Sequence, residues 1–428
     1  MSESKVSFFK QSGWMMVATF GGGVLMLGVQ LLANRPMSVA EYTELLTLLK
    51  IITFISIPVG GLTTVFAHQA AAASDEEAAK RLRSCARTIL SGTVLLWGAM
   101  LALAAFGEGW IMETMQLTSR PAFWMTMVVA LSTLLTPLIR GLLQGAHRFG
   151  PLGWTLVADG VIRFFGALFI LFVVTKSAAG VMTAALIGQW VALGIGVWWT
   201  RELFLGPGST VDWSNWIRTA APLIVGSGVI VFFISADFIF ARTLFPEIED
   251  IEKLYVPGNM VGFAMAQLAV PIAAVMFPRV VRNSTRAGKD EELRWTLILT
   301  AVIGGAASLL ATVAPWLPVL VIFKGEYAKG KALVPWYAWS MLIFTLANAL
   351  ISNLMARSEF RVIKWLAAVA VLYGLTLFLS TEQLKAMEPL AAYRRVVMIL
   401  GGFSAALFVV AALHTRDLLK RKQTPESA

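Results

Sequence analysis

The sequence predicts an all-α polytopic membrane protein, with about twelve transmembrane helices arranged as two six-helix lobes. Three observations carry this. Hydrophobic residues make up 57% of the 428 and charged residues only 14%, against roughly 25% in ordinary soluble domains. Apolar runs close to spanning length recur from residue 13 to residue 412. A soluble chain could not hide that much apolar surface, so the bilayer is its solvent. Finally, landmarks in the first half return in order in the second.

The expected spans lie near residues 13–33, 45–67, 88–107, 123–143, 152–174, 179–199, 217–241, 256–278, 295–322, 333–356, 362–380 and 395–414. The first is too long for a signal-peptide core, and no small-x-small cleavage site follows it. The polar stretch before it reads as a short surface helix. Pro58 in the second span and Pro271 in the eighth each remove a backbone donor and predict a kink. Of the 35 Lys and Arg, 21 fall on one set of loops and tails, 10 on the other and four within or beside spans. That asymmetry places both termini in the cytoplasm, which requires an even number of crossings.

The repeat rests on three pairs. Gly21-Gly22-Gly23-Val24 parallels Gly226-Ser227-Gly228-Val229, at an offset of 205. Tyr42, sixteen residues before Pro58, parallels Tyr255, sixteen before Pro271, at an offset of 213. Ile139-x-x-Leu142-Leu143 parallels Ile351-x-x-Leu354-Met355, at 212. A duplicated six-helix unit follows, with lobes 1–206 and 207–428 meeting at the polar loop around Pro207-Gly208. An even repeat keeps both lobes in one orientation, related by an axis along the membrane normal, as in secondary transporters.

Several function classes are excluded or demoted. The net charge of +10 comes from loop lysines and arginines, with no basic stripe interleaved with aromatics, so nucleic acid is not a partner. One cysteine, Cys85, and three distant histidines make no metal site. No cofactor motif appears, and no Gly-rich phosphate loop ending in Lys-Ser/Thr, so this chain is no ATP-driven pump. No enzyme constellation is visible.

The informative residues are the polar ones at bilayer depth, where each charge costs about 3 kcal/mol or more. Asp159 and Arg163 are four apart and share a helix face, either as a structural ion pair or with Arg163 offering charge to an anionic substrate. Arg140 lies late in the fourth span, where it can snorkel to headgroups or line a cavity mouth. Glu44 and Lys50 open the second span. Asp237, among Phe232, Phe233, Phe238 and Phe240, is a candidate for ion or proton coupling. Arg242 lies five residues on, a poor same-face spacing for pairing with it. Gln189, Gln267, Asn348 and Asn353 are uncharged polars of the kind that join membrane helices. Gln267, four residues before Pro271, also suits a cavity wall.

With these residues in view, the chain resembles the polysaccharide-biosynthesis, or oligosaccharide-lipid flippase, branch of the multidrug/oligosaccharidyl-lipid/polysaccharide (MOP) exporter superfamily. The resemblance rests on Tyr42, the run Arg140-Gly-Leu-Leu-Gln-Gly-Ala-His-Arg-Phe149, Asp237, and Tyr255 followed by Gln267, Pro271 and Phe277-Pro278. It implies a MATE-like fold of two lobes related by pseudo-two-fold symmetry around a central cavity. It also implies a transporter, not an enzyme, in the bacterial inner membrane. That transporter would flip a polyprenyl-diphosphate-linked oligosaccharide by alternating access, coupled to H+, Na+ or the membrane potential. Membrane lipids and polysaccharide assembly proteins are its implied partners. Arg140, Arg163, Lys50 and Gln267 become the substrate-binding set. Asp159, Asp237, Arg242 and Glu44 become the coupling or ion-pair set. The rivals are a MATE-type drug/cation antiporter, which wants an acidic cavity, and a membrane glycan polymerase or ligase, which wants a large outer catalytic loop.

Overall fold

The computed structural model describes residues 3–59, 61–73, 75–248, 251–267, 291–322, 325–357 and 359–423. These residues form helices and their connections, with no strand among them. In chain order the α-helices are α1 (Glu3–Ala33), α2 (Val39–Ile55), α3 (Leu62–Ala72), α4 (Glu76–Phe106), α5 (Glu108–Thr114), α6 (Arg120–Gly145), α7 (Phe149–Phe169) and α8 (Ala178–Thr200). They continue as α9 (Trp213–Leu244), α10 (Glu252–Gln267), α11 (Glu291–Val313), α12 (Trp316–Ile322), α13 (Val334–Ala356), α14 (Ile363–Leu379), α15 (Thr381–Lys385) and α16 (Pro389–Gln423).

Nine stretches among the described residues are long and apolar enough to cross a membrane. They match nine of the twelve expected spans. The other three differ for separate reasons. The first lies within α1, whose apolar part is the shorter Val17–Ala33. The second is broken: α2 stops at Ile55, a short 3-10 turn runs Ile57–Val59, and α3 begins at Leu62. Pro58 lies in that break, where its missing N–H ends the hydrogen-bond ladder. The eighth begins as α10, but Pro271 and the rest of that span lie outside the described residues. The expected ninth span is divided into α11 and α12 around Ala314 and Pro315.

Contacts divide the chain into two compact units, residues 1–228 and 229–428. In the first, α7 packs on α1 and α8, and α6 on α3 and α8. The core beneath is aliphatic, built from Phe66, Leu134, Leu138, Leu142, Leu143 and their neighbours. In the second, α13 packs against α10, α11 and α16.

Backbones approach closely where side chains are missing. Gly141 and Gly145 present one edge of α6 to α3, and a Cβ on Gly141 would lie 2.6 Å from the Thr63 carbonyl oxygen. Small residues four apart are how membrane helices come close without an apolar driving force. Gly22 of α1 meets α7 in the same way, 3.1 Å from the Leu156 oxygen. Gly188 of α8 meets α7 at the Asp159 oxygen and Arg163 nitrogen, 3.1 and 3.2 Å away.

Helix ends are closed by side chains. Asp75 caps α4 by accepting from Ala78 N at 2.7 Å, and Ser38, Ser119 and Ser177 cap α2, α6 and α8. Two carboxylates of α2 add a second layer. Glu41 accepts from Ala178 N, at the start of α8, at 2.6 Å. Glu44, only 1% exposed, accepts from Thr118 N at 3.2 Å, Thr118 Oγ1 at 2.6 Å and Ser119 N at 2.9 Å, at the start of α6. The positive ends of two helices are thus held by acidic groups of a third. Helix α6 ends in a Schellman turn, in which His147 N donates to Gln144 O (3.1 Å), Arg148 N donates to Leu143 O (2.9 Å) and His147 has φ +55°.

Two stability outcomes follow. Glu44→Ala strands buried donors and lowers stability by about 3 kcal/mol, read as a fall in thermal unfolding temperature in detergent. His147→Gly removes the left-handed strain on a side-chain-bearing residue and gains up to about 1 kcal/mol by the same measurement.

Candidate functional site

In the first unit, α6, α7 and α8 bring three charges together. Asp159 and Arg163 lie one turn apart on α7, and Arg163 Nη2 donates to Asp159 Oδ1 at 2.9 Å. Both are buried, at 6% and 7% exposure. The second carboxylate oxygen faces Arg140 of α6, whose Nη2 is 3.8 Å away. The i,i+4 pairing expected from spacing is present, and Arg140 joins it through the fold.

Gln189 of α8 completes the arrangement. With its amide turned to suit its neighbours, its oxygen accepts from Arg163 Nη2 at 3.0 Å, and its nitrogen donates to Ser132 Oγ at 2.7 Å and Thr133 Oγ1 at 2.9 Å. Three helices are joined by one amide. The cluster carries two guanidiniums against one carboxylate, a surplus of one positive charge. Arg140 Nε and Arg163 Nε are buried without hydrogen-bond partners among the described residues. A small cleft of about 10 Å³, room for a single water, lies beside Arg140 and is lined by Thr136, Ile139, Thr155, Ala192 and Leu193.

In the second unit, Asp237 of α9 is 2% exposed. Asn259 Nδ2 of α10 donates to its Oδ2 at 2.9 Å, and the Tyr337 hydroxyl of α13 also hydrogen-bonds to it. Tyr337 fits against Gly258 and Gly262 of α10, which explains how so large a ring reaches the carboxylate. One turn earlier on α9, Phe233 stacks on two rings, Tyr373 at 4.8 Å and Phe344 at 5.9 Å. The Tyr373 hydroxyl has no hydrogen-bond partner among the described residues. Arg242 lies among Tyr255, Tyr393 and Glu252.

The remaining candidates are dispersed. Glu44 caps α6, as described above. Lys50, six residues on, is 8% exposed in α2. Gln267 ends α10, and its side chain lies outside those described. Sequence reasoning missed Asn259 and Tyr337, which lie 22 and 100 residues from Asp237. Their one signal was polarity within an apolar run.

The geometry finds a counterpart in known folds. The sequence matches no protein-family model and no curated protein. Among solved structures, a MATE transporter in a straight conformation aligns with a TM-score of 0.68 at 13% identity, over 97% of this chain and 96% of that one. An inward-facing multidrug-resistance MATE transporter of the MOP superfamily aligns at 0.67 and 13%, over 95% and 96%. The chain has the MATE fold. A MOP superfamily transporter from Pyrococcus furiosus, described as having a binding pocket of reverse polarity that suggests a different function, aligns at 0.63 and 11%, over 97% and 96%. Identities this low establish the MATE fold, and the chemistry must come from this chain's own residues.

The ion cluster gives a direct test. Arg163→Met leaves Asp159 with only the longer contact to Arg140 and costs about 3–5 kcal/mol, whereas adding Asp159→Leu and Arg140→Met, so that no lone charge is left, recovers most of that loss. Thermal unfolding of the single and triple variants in detergent measures both.

Proposed function

We propose that this protein is a transporter of the MOP superfamily that flips a polyprenyl-diphosphate-linked oligosaccharide across the bacterial cytoplasmic membrane for cell-surface polysaccharide assembly. The observation that carries this reading is the buried surplus of positive charge at Asp159, Arg163 and Arg140. A net positive cluster at bilayer depth is costly unless an anion offsets it. A diphosphate suits it, because guanidinium groups present paired donors to phosphate oxygens. Lobes 1–206 and 207–428 would rock in alternating access, with both termini cytoplasmic. Lys50 and Gln267 are the further substrate-binding candidates, and Asp237 is the coupling group for H+ or Na+. The chemistry is transport without covalent change.

The second reading, a drug/cation antiporter, is favoured by one observation. Asp237 lies buried beside stacked Phe233, Phe344 and Tyr373 rings. A carboxylate near aromatic faces suits an organic cation.

Reconstitution separates the two. Purified protein in liposomes with a fluorescent lipid-diphosphate oligosaccharide is expected to move label between leaflets, and Arg140→Ala to slow that transfer about tenfold, as loss of 1.4 kcal/mol would. Absence of transfer, together with gradient-driven uptake of an organic cation abolished by Asp237→Asn, would establish the antiporter instead.

A further inference from the structure

The two arginines of the cluster are held differently. Arg163 makes a short bond to Asp159 at 2.9 Å and a second to Gln189 at 3.0 Å. Its side chain is 9% exposed, and its backbone nitrogen lies against α8, 3.2 Å from where a Cβ on Gly188 would sit. Arg140 reaches the same carboxylate only at 3.8 Å, its side chain is 25% exposed, and it lines the cleft. Asp159 and Arg163 are the charged groups acting on it. A 3.8 Å contact is an ion pair without a short hydrogen bond, so Arg140 has most to gain from another partner.

We propose that Asp159 is an internal stand-in for the substrate's anionic group: its carboxylate occupies Arg140 while the site is empty and yields it when a phosphate-type anion arrives. Arg140 is the ligand contact, and Arg163 and Gln189 are positioning residues that hold Asp159. The inference rests on the anionic-substrate reading above. It follows from two constraints. An unpaired guanidinium at bilayer depth is costly, so an empty site needs a resident anion. A resident that bound Arg140 at full strength would block loading, so the contact must be weaker than the ligand's. Asp159 meets both, because Arg163 restrains it beyond ideal reach of Arg140.

This has an unusual sign. Asn at position 159 can still accept from Arg163 but no longer competes for Arg140. Titrating the purified full-length protein in detergent with inorganic pyrophosphate, at fixed ionic strength, reads the affinity. Asp159→Asn is expected to bind pyrophosphate about tenfold more tightly than the parent, and Arg140→Gln about tenfold more weakly. A purely structural Asp159 predicts unchanged or weaker binding in Asp159→Asn, and that result overturns the inference while leaving the anionic-substrate reading intact. If neither the parent nor Asp159→Asn binds pyrophosphate, the anionic-substrate reading falls and the stand-in falls with it. Should Asp159→Asn not fold, lysine replacements decide, since lysine keeps the charge and loses the fork. Arg140→Lys weakening binding at least threefold more than Arg163→Lys supports the assignment, and equal effects overturn it.

Discussion

The carboxylate of Asp159 is the constraint on which the first unit is organised. In a bilayer, a guanidinium without a counter-charge is expelled or pulls the helix out of place. One acidic group serves two arginines from two helices. Gln189 of a third helix adds an acceptor for Arg163 Nη2. The close contacts at Gly22, Gly141 and Gly188 are the steric side of the same arrangement. Each lets a helix approach α6 or α7 closely enough to surround these charges.

The two units solve the same problem with different chemistry. In the first, charge is balanced by charge and one positive unit is left over. In the second, Asp237 is met by neutral donors, an amide and a phenol hydroxyl. The landmarks of the repeat, Tyr42 and Tyr255, are both fully buried.

The outer shell of the fold was legible for a plain reason: spans are set by length and apolarity, which are local. The second span shows the limit. Its composition is continuous, yet Pro58 divides it. Glu44 shows another. As a sequence feature it was one more charge near an interface; in the fold it caps α6 through three hydrogen bonds, because α2 runs past the start of that helix.

The sequence by itself determined the solvent, the class and most of the helices. Hydrophobic length and helical spacing act within a few turns, and the Asp159–Arg163 pair is written in that same four-residue period. Only the tertiary structure decided that Arg140 shares Asp159, that Gln189 joins three helices, and that Asn259 and Tyr337 attend Asp237. Those partners are tens of residues apart. What brings them together is the packing of small-residue helix faces, and the polarity of each site is the sum of charges that such packing collects.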